Sequence, residues 1–217
     1  MAISLIEQRV PHETTLVDLQ NKPDSFKSVY AKACGDHTLA AKVPILETEE
    51  DGVLIESMVI LEYLDDKAAD DSLTPAERAR ARKWATLVPS WLSWFSILRA
   101  DAGSDEEANA VAKVRDGLRA MDRFLADGGD DGPFVLGARF STAEAATAPF
   151  SARLMLVLPA VRPALAPSSW LDEDGLTRVA EWVEAVTARQ SVVDTLPPAA
   201  ELAQSYERLL ERFKSAA

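Results

Sequence analysis

The chain has 217 residues, 47% hydrophobic and 27% charged, and its 23 basic against 35 acidic side chains leave a net charge of −12. That content excludes disorder over most of the chain, and a chain of this size buries roughly 70% of its unfolded surface, so it needs no metal or disulfide to fold. A single cysteine, Cys34, excludes a disulfide framework, a CxxC pair and a thiolate zinc cage, and two histidines, His12 and His37, speak against a histidine-rich metal site.

Met1 to Arg9 reads as the last turns of an amphipathic helix, stopped by Val10-Pro11 because a pre-proline residue disfavours the helical region. Neither a basic start nor a long apolar block marks these residues as a signal peptide. Glu13 to Leu19 (ETTLVDL) is predicted as a strand, and Asn21-Lys22-Pro23-Asp24 as a turn opening a short helix through Phe26 and Tyr30. Lys42 to Leu46 and Gly52 to Ile55 are predicted as two short strands joined by the acidic turn Glu49-Glu50-Asp51-Gly52, with Pro44 marking an edge or a bend. Ser57 is predicted to cap a helix that carries Ile60, Leu61 and Leu64 on one face.

From Asp70 onward the pattern is helical. Thr74-Pro75-Ala76-Glu77 combines an N-cap, a proline at the first helical position and Glu at the third. That helix is predicted to carry Trp84, Leu87, Trp91, Trp94 and Leu98 at helical spacing, with a kink at Pro89. Ser104 to Glu107 is a second capping box, before Val111, Val114, Leu118, Met121 and Leu125. Gly128 to Pro133 is a loop, Ser141-Thr142-Ala143-Glu144 a third capping box, and two more helices fit residues 174–190 and 198–214. The second half is thus an all-helical domain of five or so helices. No apolar run approaches the roughly 20 residues of a membrane span.

Charge is uneven: residues 1–72 hold 6 basic and 15 acidic side chains. Such a surface repels phosphate backbones and anionic lipid, so neither nucleic acid nor membrane is expected as a partner. It also gives no electrostatic help toward an anionic small ligand.

An ordered set of motifs resembles the glutathione transferase family. Lys42-Val43-Pro44-Ile45-Leu46, Gly52, Ile55-Glu56-Ser57, Ile60, Tyr63 and Leu64 resemble the second half of its thioredoxin-like domain. Phe134-Val135-Leu136-Gly137 and Phe140-Ser141-Thr142-Ala143-Glu144 resemble the capping box of its helical domain. Val17 to Asp24 resembles the cysteine-type branches (omega, lambda and dehydroascorbate reductase-like). The resemblance implies an α/β thioredoxin-like domain over residues 1–68, incomplete at its N-terminal side, and an all-helical domain over 73–217. It further implies a homodimer that uses glutathione as substrate, with a small electrophilic or disulfide partner; a cytoplasmic location is expected from the lack of a signal-peptide pattern and of a membrane span, and no metal from the composition.

Family resemblance assigns roles residue by residue. Val43, before a cis proline, would pair its main chain with the cysteinyl backbone of glutathione. Glu56-Ser57, at a helix N-terminus, would hold the γ-glutamyl end, and Lys22 would reach toward the glycyl end. Read without the family, Pro44 is a strand bend, Ser57 a helix cap and Lys22 a solvated turn charge. Ser141 and Glu144 are structural, as is Pro44. The tryptophan stripe reads as core, although the family places its acceptor site beside this helix, which makes Trp91 and Trp94 candidates to line it.

Two departures stand out. Aligned with the family, Met1 falls inside the helix that follows the catalytic loop, so the first strand and the catalytic Tyr, Ser or Cys are expected upstream of it. The stretch Val29 to Ala41 is longer than the family link and contains Cys34 with His37 three residues on. A catalytic Cys34 would need a nearby cation or a helix N-terminus; otherwise it is an ordinary thiol. Two functions follow: glutathione-dependent thiol transfer or conjugation, with the catalytic residue expected outside this chain, or a non-catalytic binding or scaffold protein of the same fold.

Overall fold

The computed structural model describes residues 1–68, 73–129 and 131–215. The expected boundary at Asp70, loop residue Asp130 and the last two residues lie outside the described residues. The chain divides into two units, Met1–Ser72 and Leu73–Ala217.

In the first unit the elements run α1 (Ala2–Glu7), α2 (Asp24–Cys34), β1 (Ile45–Thr48), β2 (Gly52–Ile55) and α3 (Ser57–Lys67). The two strands pair antiparallel in the register Ile45↔Ile55, Leu46↔Leu54, Glu47↔Val53, Thr48↔Gly52. Gly52 takes φ 76°, a left-handed turn position that glycine adopts without a Cβ clash. Leu5 of α1 and Ile60 and Leu64 of α3 form the core, with Met1, Leu46, Leu54 and Tyr63 packed against it. The i, i+4 spacing of Ile60 and Leu64 is what turns α3 toward that core. On the far side of the turn, the Tyr63 hydroxyl donates to Asp51 at 2.6 Å and Lys67 pairs with Glu50 at 2.8 Å and Asp51 at 3.1 Å, pinning the β1–β2 turn to α3.

Three expectations for this unit are corrected. Residues Glu13 to Leu19 form no strand, and Leu16 is 91% exposed. Strand propensity there has no ladder to join, because among the described residues β1 and β2 pair only with each other. β1 begins at Ile45 rather than Lys42, since Pro44 has no N–H to donate to a ladder. Ser57 is the first helical residue and not the cap; Glu56 occupies the N-cap and makes no side-chain cap hydrogen bond.

The second unit holds α4 (Pro75–Trp91), α5 (Phe95–Arg99), α6 (Asp105–Ala126), α7 (Thr142–Val161), α8 (Pro167–Glu173), α9 (Thr177–Ala188), α10 (Gln190–Val193) and α11 (Ala199–Ser215). Trp84, wholly buried, stands at its centre. Its indole N–H donates to the Thr147 hydroxyl at 2.9 Å, and its ring lies 5.3 Å from Phe124 and 5.2 Å from Trp182. Thr74 and Ser141 form reciprocal capping boxes with Glu77 and Glu144, as the sequence predicts. Ser104 caps α6, but Glu107 reaches the amide of Gly103 at 2.8 Å rather than that of Ser104.

Other boundaries differ. The tryptophan helix stops at Trp91, two residues past Pro89, so Trp94 lies outside it as the N-cap of α5 and Leu98 lies within α5. The helix expected from residue 174 begins at Thr177. Asp174 is engaged by Arg115 and Arg119, and Gly175 takes φ 65°, which ends α8 and separates it from α9. With α5, α8 and α10 as separate short pieces, the described residues of this unit hold eight helices rather than five.

Candidate functional site

The register of the hairpin decides which residues meet. Ile45 and Ile55 are paired, so Val43-Pro44, just before β1, and Glu56-Ser57, just after β2, share one end of the sheet. Paired strands lie about 5 Å apart. Val43 is 46% exposed, and outside helices and strands no backbone–backbone hydrogen bond among the described residues uses its amide or carbonyl. The Val43–Pro44 peptide is cis.

Glu56 takes φ 68°, ψ 112°, a region disfavoured for a residue with a Cβ. Such backbone costs of order 1–3 kcal/mol and persists where the surroundings impose it. The first α3 hydrogen bond runs from the Ile60 amide to the Glu56 carbonyl at 3.0 Å. The amides of Ser57, Met58 and Val59 therefore have no acceptor within the helix, and with the helix dipole they favour an anion. Both Glu56 and Ser57 are exposed. The corner thus offers unspent amides, a hydroxyl and an exposed carboxylate, together with a main-chain edge at Val43: groups suited to a zwitterionic, peptide-like ligand.

Lys22 lies two residues before α2. It immediately precedes Pro23, the N-cap of that helix, and its ammonium donates to the Ala41 carbonyl at 2.7 Å, two residues before Val43. Cys34 is the last residue of α2, at the carbonyl end of the helix, where the dipole disfavours an anion. Its thiol contacts the Asp36 carbonyl at 3.4 Å, and Asp36 is held below the usual carboxylate range mainly by its hydrogen bonds from the Thr38 hydroxyl and amide. His37 is exposed.

The candidates of the second unit serve its interior. Glu144 is fully buried; it accepts from the Val135 amide at 2.8 Å, the Trp182 indole at 3.3 Å, and the Ser141 amide and hydroxyl at 2.9 and 2.8 Å. Burial nonetheless pushes its carboxyl above the ordinary range, against the pull of those four donors. Trp94 is 4% exposed and lies 5.2 Å from the Tyr206 ring. Trp91 is half-buried, edge-on to Trp84 at 6.4 Å and 6.3 Å from Phe124.

Several structural arginines escaped the sequence reading. Arg80 donates to the carbonyls of Val135 and Phe124 while lying 4.4 Å over the Phe124 ring. Arg162 reaches Glu107 and the carbonyls of Leu98 and Ala100. Each closes a distant backbone end, and nothing local in the sequence marks such a role. Among the described residues no group of three or more His, Cys, Asp or Glu is placed to hold a metal ion, and no helix is long and apolar enough to cross a membrane.

Comparison with known proteins agrees with this architecture. Residues 2–67 match the family model of the glutathione S-transferase N-terminal domain, and residues 75–185 that of the C-terminal domain. A rice (Oryza sativa subsp. japonica) protein, probable glutathione S-transferase DHAR2, chloroplastic, is 26% identical over 195 residues, covering 89% of this chain but 62% of its own length. Leishmania TDR1, a trimeric glutathione transferase, superposes with TM-score 0.76 at 25% identity over 96% of this chain and 44% of its own. A Burkholderia graminis glutathione transferase, solved with two glutathione molecules per subunit, has TM-score 0.65 at 25% identity over 89% of this chain and 80% of its own. This chain therefore spans less than two thirds of the rice relative and under half of TDR1. Matched by both domain models in order, the chain belongs to the glutathione S-transferase family.

Proposed function

We propose that the first unit binds glutathione at the hairpin end and that the protein serves glutathione-dependent thiol transfer or conjugation on a small electrophilic or disulfide partner. The observation that supports this best is the Ile45↔Ile55 register, which sets Val43 and the Glu56-Ser57 pair at one corner. In this reading the γ-glutamyl carboxylate sits on the α3 amides and the Ser57 hydroxyl, Glu56 receives the ammonium, and the Val43 main chain pairs with the cysteinyl unit like an added strand. The glutathione held by the Burkholderia relative supports the choice of ligand. Residues 1–68 are the ligand-binding domain and residues 73–217 the helical one. A cytoplasmic homodimer completes the proposal, testable by fractionation and by sedimentation, with the trimeric TDR1 as the contrasting assembly.

One observation favours a second reading, a non-catalytic glutathione binder of the same fold. Cys34, the one thiol of the chain, lies at the carbonyl end of α2 with its sulfur on the Asp36 carbonyl, a poor setting for a thiolate. Calorimetric titration of the full chain with glutathione, paired with a thiol-transfer assay, tests both. Binding with turnover supports the transferase over the binder, and binding without turnover fits the binder and equally a transferase whose catalytic residue lies outside this chain. No heat at millimolar glutathione removes both.

A further inference from the structure

Residues 13–19 (ETTLVDL) have the composition of a strand and none of its bonds. Thr14, Thr15, Val17 and the two leucines favour a pleated backbone, and no proline interrupts them. Among the described residues the segment's one hydrogen bond runs from the Gln20 amide to the Asp18 carboxylate at 2.8 Å. No amide or carbonyl of residues 13–19 enters a backbone–backbone bond. Val17 is half-buried and the other six are exposed; Leu16 at 91% and Leu19 at 53% hold apolar side chains in water. An unpaired run of this kind is a template for a further strand.

We propose that residues 13–19 pair antiparallel with the same residues of a second copy of this chain, across a two-fold axis at Leu16. Charge selects both the partner and the direction. Pairing centred on Leu16 sets Glu13 opposite Leu19, Thr14 opposite Asp18, Thr15 opposite Val17, and Leu16 opposite its own copy. No acid then faces an acid, and the β-branched pair of Thr15 and Val17 occurs twice. Parallel in-register pairing would stack Glu13 on Glu13 and Asp18 on Asp18, and like charges directly opposite are destabilising. Of the two single-residue slips of the antiparallel register, one sets Glu13 against Asp18 and the other leaves Glu13 outside the ladder. A pairing of identical segments is isologous, so it closes at two copies. Seven residues a side fall well short of the roughly 20–30 of a stable interface, so the contact is transient and populated at roughly 0.1 mM chain and above. It uses none of Val43, Glu56 and Ser57, and so does not rest on the glutathione reading.

The axis supplies the test. Facing residues of an antiparallel pair lie about 4.5–5.5 Å apart between Cα atoms, within the roughly 4.4–6.8 Å that a disulfide spans. Thr14 and its own copy would lie four residues apart along the ribbon, about 14 Å, which is out of reach. Full chains carrying Cys34→Ser and one of Leu16→Cys, Thr14→Cys or Leu19→Cys are oxidised with diamide at about 0.1 mM and run on non-reducing gels. Leu16→Cys is expected to form the covalent dimer at least about tenfold faster than the other two. Sedimentation of the wild-type chain should show an association step near about 0.1 mM, from monomer or from a dimer formed elsewhere. Leu16→Lys sets two ammonium groups on the axis and should weaken that step at least about tenfold. Because the segment is exposed, all variants are expected to keep the wild-type circular dichroism. Equal cross-linking at the three positions, faster cross-linking at Thr14 or Leu19, or an association step that Leu16→Lys leaves untouched overturns the proposal. A wild-type chain without any such step leaves the segment to a different partner and overturns it equally.

Discussion

Gly117, in the middle of α6, faces the C-terminal end of α4. A Cβ built on it would sit 2.1 Å from the Trp91 carbonyl oxygen, 2.7 Å from its carbon and 3.0 Å from its Cα. Ordinary contact begins near 3.4 Å, so Gly117→Ala requires the two backbones to separate by about 1.3 Å. In an exposed helix the same change would stabilise by about 1 kcal/mol. Here the opposing atoms are backbone and cannot rotate away, so overpacking of about 3 kcal/mol, the upper end of the usual range, outweighs that gain. The expected net loss is about 2 kcal/mol, or a melting temperature lower by about 4–8 °C. All five tryptophans, Trp84, Trp91, Trp94, Trp170 and Trp182, belong to the second unit, so intrinsic fluorescence during urea unfolding reads this unit alone. An unchanged or raised midpoint would refute the claim that α4 and α6 meet backbone to backbone at this glycine.

Further consequences can be measured alongside it. Replacing Glu144 by alanine strands the amides of Val135 and Ser141 and the Trp182 indole, at a cost of at least about 3 kcal/mol, while Glu144→Gln keeps one acceptor oxygen and should cost about half of that. Thermal melts of the two variants should rank in that order, and a wild-type melting temperature for Glu144→Ala would contradict it. Asp174, gripped by Arg115 and Arg119, has its carboxyl pulled from 3.8 down to about 2, chiefly by the Arg115 hydrogen bonds. Its stabilisation is present above pH 4 and lost as the pH falls toward 2, so acid titration of Asp174→Asn should lack that step. Ser57→Ala should weaken glutathione about fivefold, with little change in melting temperature because the side chain is exposed; equal affinity would remove Ser57 from the site.

Short-range chemistry was the legible part of this chain. The caps at Thr74, Ser104 and Ser141 are read from three or four adjacent residues, and each starts a helix in the structure. Gly52 and Pro44 likewise announce the turn and the bend that bracket β1. What depends on a partner was not legible. ETTLVDL has strand composition, yet a strand exists only when its ladder is filled, and here it is not. Trp94 keeps the helical spacing of Trp84 and Trp91, yet Pro89 and the turn after Trp91 put it in a different helix. Arg80, Arg162 and the Lys22–Ala41 tie join points 19 to 64 residues apart, and no local pattern encodes such distances. Val43, Glu56 and Ser57 were nameable from the motif, but that they share one end of the hairpin became visible only through the strand register.

That register has an origin remote from the Val43–Glu56 corner. At the opposite tip of the four-residue ladder, the Thr48 hydroxyl takes the Asp51 amide at 2.9 Å and leans on the Gly52 carbonyl, while Tyr63 and Lys67 hold the acidic side chains. A slip of one residue at that tip would swap the two faces of the sheet and carry Val43 out of step with Glu56. The tip therefore works as a vernier for the corner some four residues away: substitutions at Thr48, Asp51 or Tyr63 that touch no ligand would still detune what the other end can hold.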